Sequence, residues 1–257
     1  MMRHRCAVTG IHTAGPNIYV LSFHAPEIAS SVLPGQFVNV KVNDIGIPLL
    51  RRPFSVYHID GHTVQIIFNV IGLGTRVLVG KHVNDEIDVI GPLGCAYNIH
   101  DKYQTAILVA GGLGVAPFPM ITSALKDTSK QIVTFLGART RDQLVTNYLH
   151  NVHTSADDGS AEFHGTVVEY LRSELMKKKF PQPKIFACGP NPMLNALSEL
   201  ANEFSLPCEV SLESAMACGI GICQGCPIEI ANGEKKYSLI CKEGTVFDTR
   251  KIRIAVW

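Results

Sequence analysis

The stretch that decides the fold is TAILVAGGLGVAP, residues 105–117. Its first half is almost entirely apolar and predicts a strand buried on both faces, as in a parallel sheet. Gly111, Gly112 and Gly114 follow at once and open a predicted helix, so backbone N–H groups and the helix dipole can receive a pyrophosphate there. Pro117 stands where the G-x-G-x-x-G fingerprint has its third glycine. Taken alone, the loop could equally be an ordinary strand-to-helix turn.

Three more apolar stretches extend this pattern on the carboxyl side, at residues 131–136, 184–188 and 208–212. Strands that alternate with helical segments predict a parallel sheet covered on both faces. Such sheets bind nucleotides at the carboxyl ends of their strands. The loops after Ala110, Leu136 and Cys188 are therefore the candidate sites, and the turn Cys188-Gly189-Pro190 would line the same crevice as the glycine loop.

The helices between these strands have readable starts. A capping box at residues 166–169 predicts one helix. Asn191 is expected to cap a second helix, with Pro192 in its first position. The polar residues 154–160 are expected to form a loop.

The first hundred residues follow a different pattern, with short segments in which apolar and polar residues alternate. This is the period of half-buried antiparallel strands and predicts a small barrel. One or two helical turns are expected at residues 74–81, and no other helix. The predicted strands are residues 17–24, 36–42, 53–58, 63–69 and 86–91.

One motif in this half carries chemistry, the sequence Arg52-Pro53-Phe54-Ser55 at the start of a barrel strand. The arginine can form a forked pair with a phosphate, and the serine hydroxyl can reach the edge of a flavin ring. A surface arginine on an edge strand is the alternative, and spacing alone favours it.

Composition excludes several classes of protein. The 257 residues carry a formal net charge of +1, which leaves no basic surface for nucleic acid. An uncharged stretch at residues 103–125 is interrupted by glycines and prolines, so no membrane helix is expected. With no apolar segment after Arg5 to suggest a signal peptide, a cytoplasmic location is expected. Eight cysteines in a reducing compartment favour metal or redox chemistry over disulfides.

Four of these cysteines, Cys218, Cys223, Cys226 and Cys241, have the spacing C-x4-C-x2-C followed by a distant fourth. This is the plant-type spacing of [2Fe-2S] ligands. Glycines at 219, 221 and 225 would let the backbone approach the sulfides, with positive φ where needed. A structural zinc site is the alternative, although such sites usually show two separate C-x2-C pairs. Cys6, Cys95 and Cys208 are interpreted as buried small apolar residues.

Taken together, the motifs resemble the ferredoxin-NADP reductase superfamily. Within it, the cysteine-bearing C-terminus resembles the electron-transfer subunits of type B dihydroorotate dehydrogenase. The resemblance spans essentially the whole chain. It rests on residues 52–55, 72–75, 91–94, 111–117, 188–193, 214–221 and 241–244, with Cys223 and Cys226.

The resemblance implies a fold and a set of cofactors. It implies an FAD-binding β-barrel at residues 1–101, a Rossmann-like NAD-binding α/β domain at 102–212 and a [2Fe-2S] loop domain at 213–257. Arg52 would hold the FAD pyrophosphate, and Ser55 and Cys188 would be the catalytic residues beside the flavin and nicotinamide rings. The expected cofactor-binding residues also include Pro53, Phe54, Ile67, Phe68, Asn69, Gly74, Thr75, Gly111, Gly112, Gly114, Gly189 and Pro190.

The resemblance also implies a partner. A separate FMN-containing catalytic subunit would oxidise dihydroorotate, and its electrons would pass through the cluster and FAD to NAD⁺, in a heterotetramer with two copies of each subunit. The cluster loop and the apolar tail ending in Trp257 are the expected partner surface. A reductase subunit of a sulfhydrogenase-type or transhydrogenase-type complex is the alternative. Because the transhydrogenase relatives typically have an aspartate as first cluster ligand, Cys218 argues against that branch.

Two arginines bear on the choice between NADH and NADPH. Arg139 and Arg141 follow a predicted strand where a 2′-phosphate would lie, and two arginines could bind it. The resemblance favours NADH.

Overall fold

The computed structural model of the chain describes residues 2–43, 46–231 and 235–255. Its N-terminal part is a closed antiparallel barrel with the strand order β1-β2-β5-β4-β3-β6. Two short helices, α1 (Pro26–Ser31) and α2 (Leu73–Val79), connect its strands. The strands are β1 (Met2–Gly15), β2 (Ile18–His24), β3 (Phe37–Lys41), β4 (Arg52–Asp60), β5 (Thr63–Asn69) and β6 (Glu86–Leu93).

The predicted barrel is confirmed, and all five predicted strands are present. Strand β1 and helix α1 were not predicted. Most of β1 faces solvent or is only half-buried, and only Cys6 and Val8 are fully buried, so its apolar alternation is weak. Helix α1 is one and a half turns long and buries Ile28 alone, which leaves no helical period to detect.

The second part is a largely parallel sheet with helices on both faces, as predicted. The paired strands β7, β8 and β11 form its centre, and β12 continues it. Its strands are β7 (Thr105–Gly111), β8 (Gln131–Ala138), β9 (Val152–Ala156), β10 (Phe163–His164), β11 (Pro183–Cys188) and β12 (Cys208–Ser211). Its helices are α3 (Phe118–Leu125), α4 (Val167–Lys177) and α5 (Asn191–Glu203).

Two local predictions in this part are wrong. Residues 154–160 are not all loop, because β9 includes residues 152–156 and pairs with β8 despite its polar sequence. Asn191 is the first residue of α5 rather than its cap, which is Pro190. The Asn191 amide instead donates to the carbonyl of Ala255, 3.1 Å away. The capping box at Thr166 and Glu169 is confirmed.

The C-terminal part returns to the second sheet. It contains β13 (Pro227–Ile230), β14 (Tyr237–Leu239), helix α6 (Ile240–Glu243), β15 (Val246–Asp248) and β16 (Ile252–Arg253). Strands β14, β13 and β16 form a small sheet, whereas β15 pairs antiparallel with β12. The second sheet therefore has the order β10-β9-β8-β7-β11-β12-β15, and its last strand comes from the cysteine-bearing segment.

Apolar side chains hold these parts together. One layer joins the sheet to α4 and α5, for example through Leu171 and Leu197. The other layer joins it to α3 and to barrel residues such as Tyr57. The barrel therefore packs against the α3 side of the sheet, which brings the barrel wall close to the carboxyl ends of the parallel strands. In the described ranges no helix has the length and apolar character needed to cross a bilayer.

Candidate cofactor sites

A crevice of about 590 Å³ lies at the carboxyl ends of the parallel strands, as predicted for a nucleotide site. The glycine loop after β7 forms one wall, and the turn after β11 forms another. The candidate residues found in this lining are Asn69, Gly111, Gly112, Gly114, Arg139, Gly189 and Pro190.

The two walls touch each other through their backbones. A Cβ atom added at Gly114 would lie 2.1 Å from the carbonyl oxygen of Cys188 and 2.7 Å from the nitrogen of Gly189. Only glycine permits this approach. Cys188 lies behind the loop, with its side chain buried, and burial raises the pKa of its thiol.

A second cavity, of about 400 Å³, lies between the barrel and the second sheet. Strands β4 and β5 of the barrel supply most of the candidate residues in its wall, which suits the ring system of a flavin. The Oδ1 atom of Asn69 is buried there and has no hydrogen-bond partner among the described residues, as expected of a group that meets a ligand. The candidate residues in the wall are Pro53, Phe54, Ser55, Ile67, Phe68, Asn69 and Thr75.

Arg52 and Gly74 lie beside each other next to this cavity. A Cβ atom at Gly74 would be 2.7 Å from Nε of Arg52, so the arginine side chain lies directly on the glycine. The Arg52 guanidinium donates to the carbonyl of Leu50. The Thr75 hydroxyl accepts from the N–H groups of Ile71 and Gly72 and so shapes the turn before α2. The motif of residues 52–55 thus reaches from this turn into the cavity.

The crevice and the flavin-sized cavity adjoin. Asn69, Leu113 and Glu213 line both of them. A nucleotide in the first and a ring system in the second would therefore meet at these three side chains.

Glu213 was not among the sequence candidates. It lines both spaces and is exposed at their junction, yet the protein around its carboxyl group displaces water and raises its pKa above the usual value. The residue directly follows the apolar stretch 208–212, so the rule that sites lie at strand carboxyl ends would have found it.

The loop of residues 218–226, which carries three of the four cysteines and is called the cysteine loop below, has the backbone that an iron–sulfur cluster requires. Gly219 and Gly221 have φ of +69° and +85°, which non-glycine residues rarely adopt. Gly225 does not have a positive φ, whereas its neighbour Gln224 does, at +58°. The N–H groups of Ile220 and Cys223 both point at Sγ of Cys218, at 3.4 Å.

The four thiols are grouped in two pairs. The N–H of Cys223 donates to Sγ of Cys218 at 3.4 Å, and the N–H of Cys241 donates to Sγ of Cys226 at 3.5 Å. Burial opposes ionisation of Cys218, but the N–H donors outweigh it and lower its pKa to about 6. Burial and the neighbouring Cys226 raise the pKa of Cys241 to about 12.

Two cysteines per metal is the ligand set of a [2Fe-2S] cluster, in which each iron takes two thiolates. The paired cysteines, with backbone N–H groups directed at Sγ of Cys218 and of Cys226, therefore fit a two-iron cluster.

The cysteine loop also adjoins the flavin-sized cavity. Met216, two residues before Cys218, lines this cavity, and so does Thr245, four residues after Cys241. Both chain segments that lead to the loop therefore touch the wall of the cavity.

These features define a class of protein, an oxidoreductase with flavin, nicotinamide-nucleotide and iron–sulfur sites in one chain. Within that class, the chain belongs to the family of electron transfer subunits of dihydroorotate dehydrogenase B. It is 32% identical to the Desulforamulus reducens dihydroorotate dehydrogenase B (NAD(+)), electron transfer subunit, over 97% of each chain. It is 34% identical to the protein of the same description from Enterococcus faecalis, over 92% of this chain and 93% of that one.

A family model and two solved structures agree with this assignment. The family described as the iron-sulfur cluster binding domain of dihydroorotate dehydrogenase B matches residues 213–253. The solved structure of an NADH-dependent reduced ferredoxin-NADP oxidoreductase superposes with a TM-score of 0.85 at 27% identity, covering 97% of this chain and 90% of that one. A ferredoxin NADP⁺ reductase from Neisseria gonorrhoeae shares the fold, with a TM-score of 0.67 at 13% identity, over 78% of this chain and 91% of that one.

Proposed function

We propose that this chain passes electrons from a dihydroorotate-oxidising partner, through a [2Fe-2S] cluster and FAD, to NAD⁺ in pyrimidine biosynthesis. The observation that carries the proposal is the position of the flavin-sized cavity, which shares walls with the nucleotide crevice on one side and with the cysteine loop on the other. FAD supplies the chemistry of this position, since a flavin exchanges a hydride with nicotinamide and single electrons with iron–sulfur clusters.

The chain itself supplies binding and orientation. Arg52 and Gly74 would lie beside the phosphates of FAD. The flavin would be held by the residues of β4, β5 and α2 in the cavity wall, namely Pro53, Phe54, Ser55, Ile67, Phe68, Asn69 and Thr75. The glycine loop and the turn of Gly189 and Pro190 would hold the dinucleotide. Ser55 would meet the flavin ring, and Cys188 would lie beside the nicotinamide ring. Cys218 and Cys223 would bind one iron, and Cys226 and Cys241 the other.

The partner would be an FMN-containing catalytic subunit, with two copies of each subunit in the complex. Its docking surface would include the exposed edge of the cysteine loop, where Ile222 is 77% exposed. Trp257, which was expected to contribute, lies outside the described residues. We further propose that the domains meet after residues 101 and 212. We also propose a cytoplasmic location.

An anaerobic titration tests the proposed function. We expect NADH to bleach the flavin and iron–sulfur absorption bands of the purified chain, and dihydroorotate to bleach them only after the partner is added. Bleaching by dihydroorotate without the partner would contradict the division of labour. A protein that contains zinc and no iron or labile sulfide would contradict the cofactor assignment.

We expect Asp157 to select NADH over NADPH. It lines the nucleotide crevice together with Arg139, and its N–H donates to Ala138 at the end of β8. A carboxylate at this position repels the 2′-phosphate of NADPH. We expect this repulsion between like charges to favour NADH over NADPH by about tenfold or more. Asp157→Ser should therefore lower the NADH preference by that factor, measured as the ratio of kcat/KM for the two nucleotides.

The matched control is Asp158→Ser. Asp158 is the next residue, but its carboxylate is bound to Ser160 and lies outside the crevice lining. An equal change in both variants would show that general charge, rather than the position of Asp157, sets the preference.

We expect Glu213→Gln to slow flavin reduction by NADH by about 100-fold, the cost of removing one well-placed electrostatic group. The nicotinamide ring becomes positively charged as NADH is oxidised, and the Glu213 carboxylate at the junction can stabilise that charge. Because burial raises the Glu213 pKa, the wild-type rate should fall on acidification already above the ordinary carboxyl range. The variant should lose this pH dependence, as stopped-flow measurements would show. A rate and pH profile equal to those of the wild type would remove Glu213 from the reaction.

A further inference from the structure

Asn39 connects the barrel to the cysteine loop. It lies on strand β3, is 1% exposed, and donates from Nδ2 to the carbonyl oxygen of Cys218 at 3.0 Å. The bond joins residues that are 179 positions apart in the chain. It therefore fixes the first cluster ligand to a rigid strand of a different part of the molecule.

The loop is shaped to accept this contact. A Cβ atom at Gly219 would lie 2.4 Å from Nδ2 of Asn39, so no side chain can stand between the loop and the amide. Gly219 also has φ of +69°, which turns the chain after the bonded carbonyl. The position thus requires glycine for two independent reasons.

The bonded carbonyl belongs to the peptide that precedes this turn. After the turn, the N–H of Ile220 returns to Sγ of Cys218, and the N–H of Cys223 points at the same sulfur. The bond from Asn39 fixes the peptide between Cys218 and Gly219. It therefore also keeps the N–H of Ile220 directed at Sγ of Cys218. Hydrogen bonds to the sulfurs stabilise the more negative, reduced state of a cluster and so raise its reduction potential.

The barrel in turn fixes Asn39. Its backbone carbonyl accepts from Arg51 at 3.3 Å, and Arg51 forms an ion pair with the buried Asp88 at 2.8 Å. The Oδ1 atom of Asn39, by contrast, is buried with no partner among the described residues. An amide that leaves one atom unpaired gains little for the barrel, so its bond to Cys218 is what distinguishes it from an apolar residue here.

We propose that Asn39 is a positioning residue that sets the reduction potential of the cluster through the Cys218 carbonyl. This inference rests on the proposed [2Fe-2S] cluster. It concerns a residue of the barrel that neither binds iron nor lines the flavin-sized cavity.

The test compares Asn39→Leu and Asn39→Asp with the wild type. Leu keeps the approximate volume but cannot donate, and Asp adds a negative charge that also cannot donate. At a fixed potential we expect the ratio of reduced to oxidised cluster to fall about tenfold in Asn39→Leu, equivalent to 59 mV for a one-electron couple. The fall should be larger in Asn39→Asp. Redox titration followed by electron paramagnetic resonance measures this ratio, and FAD content reports whether the barrel has folded.

Gln65→Leu is the control, because Gln65 is a barrel amide on β5 that also has a buried unpaired oxygen but no contact with the cysteine loop. Its cluster potential should equal that of the wild type. Loss of the cluster in Asn39→Leu with FAD retained would support the positioning role, since the loop would then fail to assemble. Equal potentials in all variants would overturn it. A wild-type protein without iron and sulfide would instead overturn the proposed function.

Discussion

A Cys226→Ser variant is expected to keep flavin reduction by NADH and to lose all electron exchange with the partner subunit. Cys226 is 3% exposed, is paired with Cys241, and accepts the Cys241 N–H at 3.5 Å. The hydroxyl of serine stays protonated where a thiolate is needed, so one iron loses half of its protein ligands. The flavin-sized cavity and the nucleotide crevice do not include Cys226 and should still function.

Iron and labile sulfide analysis, electron paramagnetic resonance and stopped-flow reduction by NADH measure the three parts of this expectation. Cys95→Ser is the matched control, because Cys95 is exposed beside the loop, contrary to the prediction that it is buried, and its thiol donates to the Lys242 carbonyl oxygen at 3.8 Å. It should retain cluster and activity. If Cys226→Ser retained the cluster, Cys226 would not be a ligand. If it lost NADH-dependent flavin reduction, the electron path would not run in the proposed order.

The second large effect is expected at Gly114. Gly114→Ala would place a methyl group 2.1 Å from the Cys188 carbonyl oxygen, and neither a Cβ methyl group nor a backbone carbonyl can rotate away. The glycine loop must then separate from the turn after β11, at a cost of about 1–3 kcal/mol or more. The melting temperature should fall by about 2–4 °C for each kcal/mol. Because both walls of the crevice are displaced, the KM for NADH should rise as well.

Thermal unfolding and steady-state kinetics with NADH measure the two effects. Gly10→Ala is the control, since nothing lies within 4 Å of a Cβ atom there and its φ is not positive. It should leave both quantities near the wild-type values. A Gly114→Ala protein with unchanged stability and KM would show that the two loops move apart freely, contrary to the close contact that the structure records.

The parts of the fold that could be predicted are those with a strong local pattern. The predicted barrel strands at residues 36–42 and 63–69 contain apolar residues at every second position, and the central parallel strands are continuous apolar runs. Strand β9 was missed because its sequence, VHTSA, is mostly polar, although pairing with β8 stabilises it. Strand β15 was missed because three residues contain no periodicity, and its place is set by β12.

The candidate sites show the same division. The four cysteines and the glycine loop could be recognised because their chemistry is encoded in local spacing. Asn39 could not, since a single amide has no pattern, and the only signal for Glu213 is its place directly after the apolar stretch 208–212. Their roles depend on what the fold places beside them: the junction of two cavities for Glu213, and a carbonyl far along the chain for Asn39.

Strand β15 has a consequence for how the chain could be divided. It pairs with β12 and covers the edge of that strand, and it begins five residues after Cys241. A protein cut after Leu212 would expose the N–H and C=O groups of β12 along an open sheet edge, which is a template for edge-to-edge aggregation. The segment after Leu212 therefore cannot be removed as an independent module without uncovering this edge. It also shields the sheet edge, and grafting it onto another reductase would require a host sheet with a matching free edge.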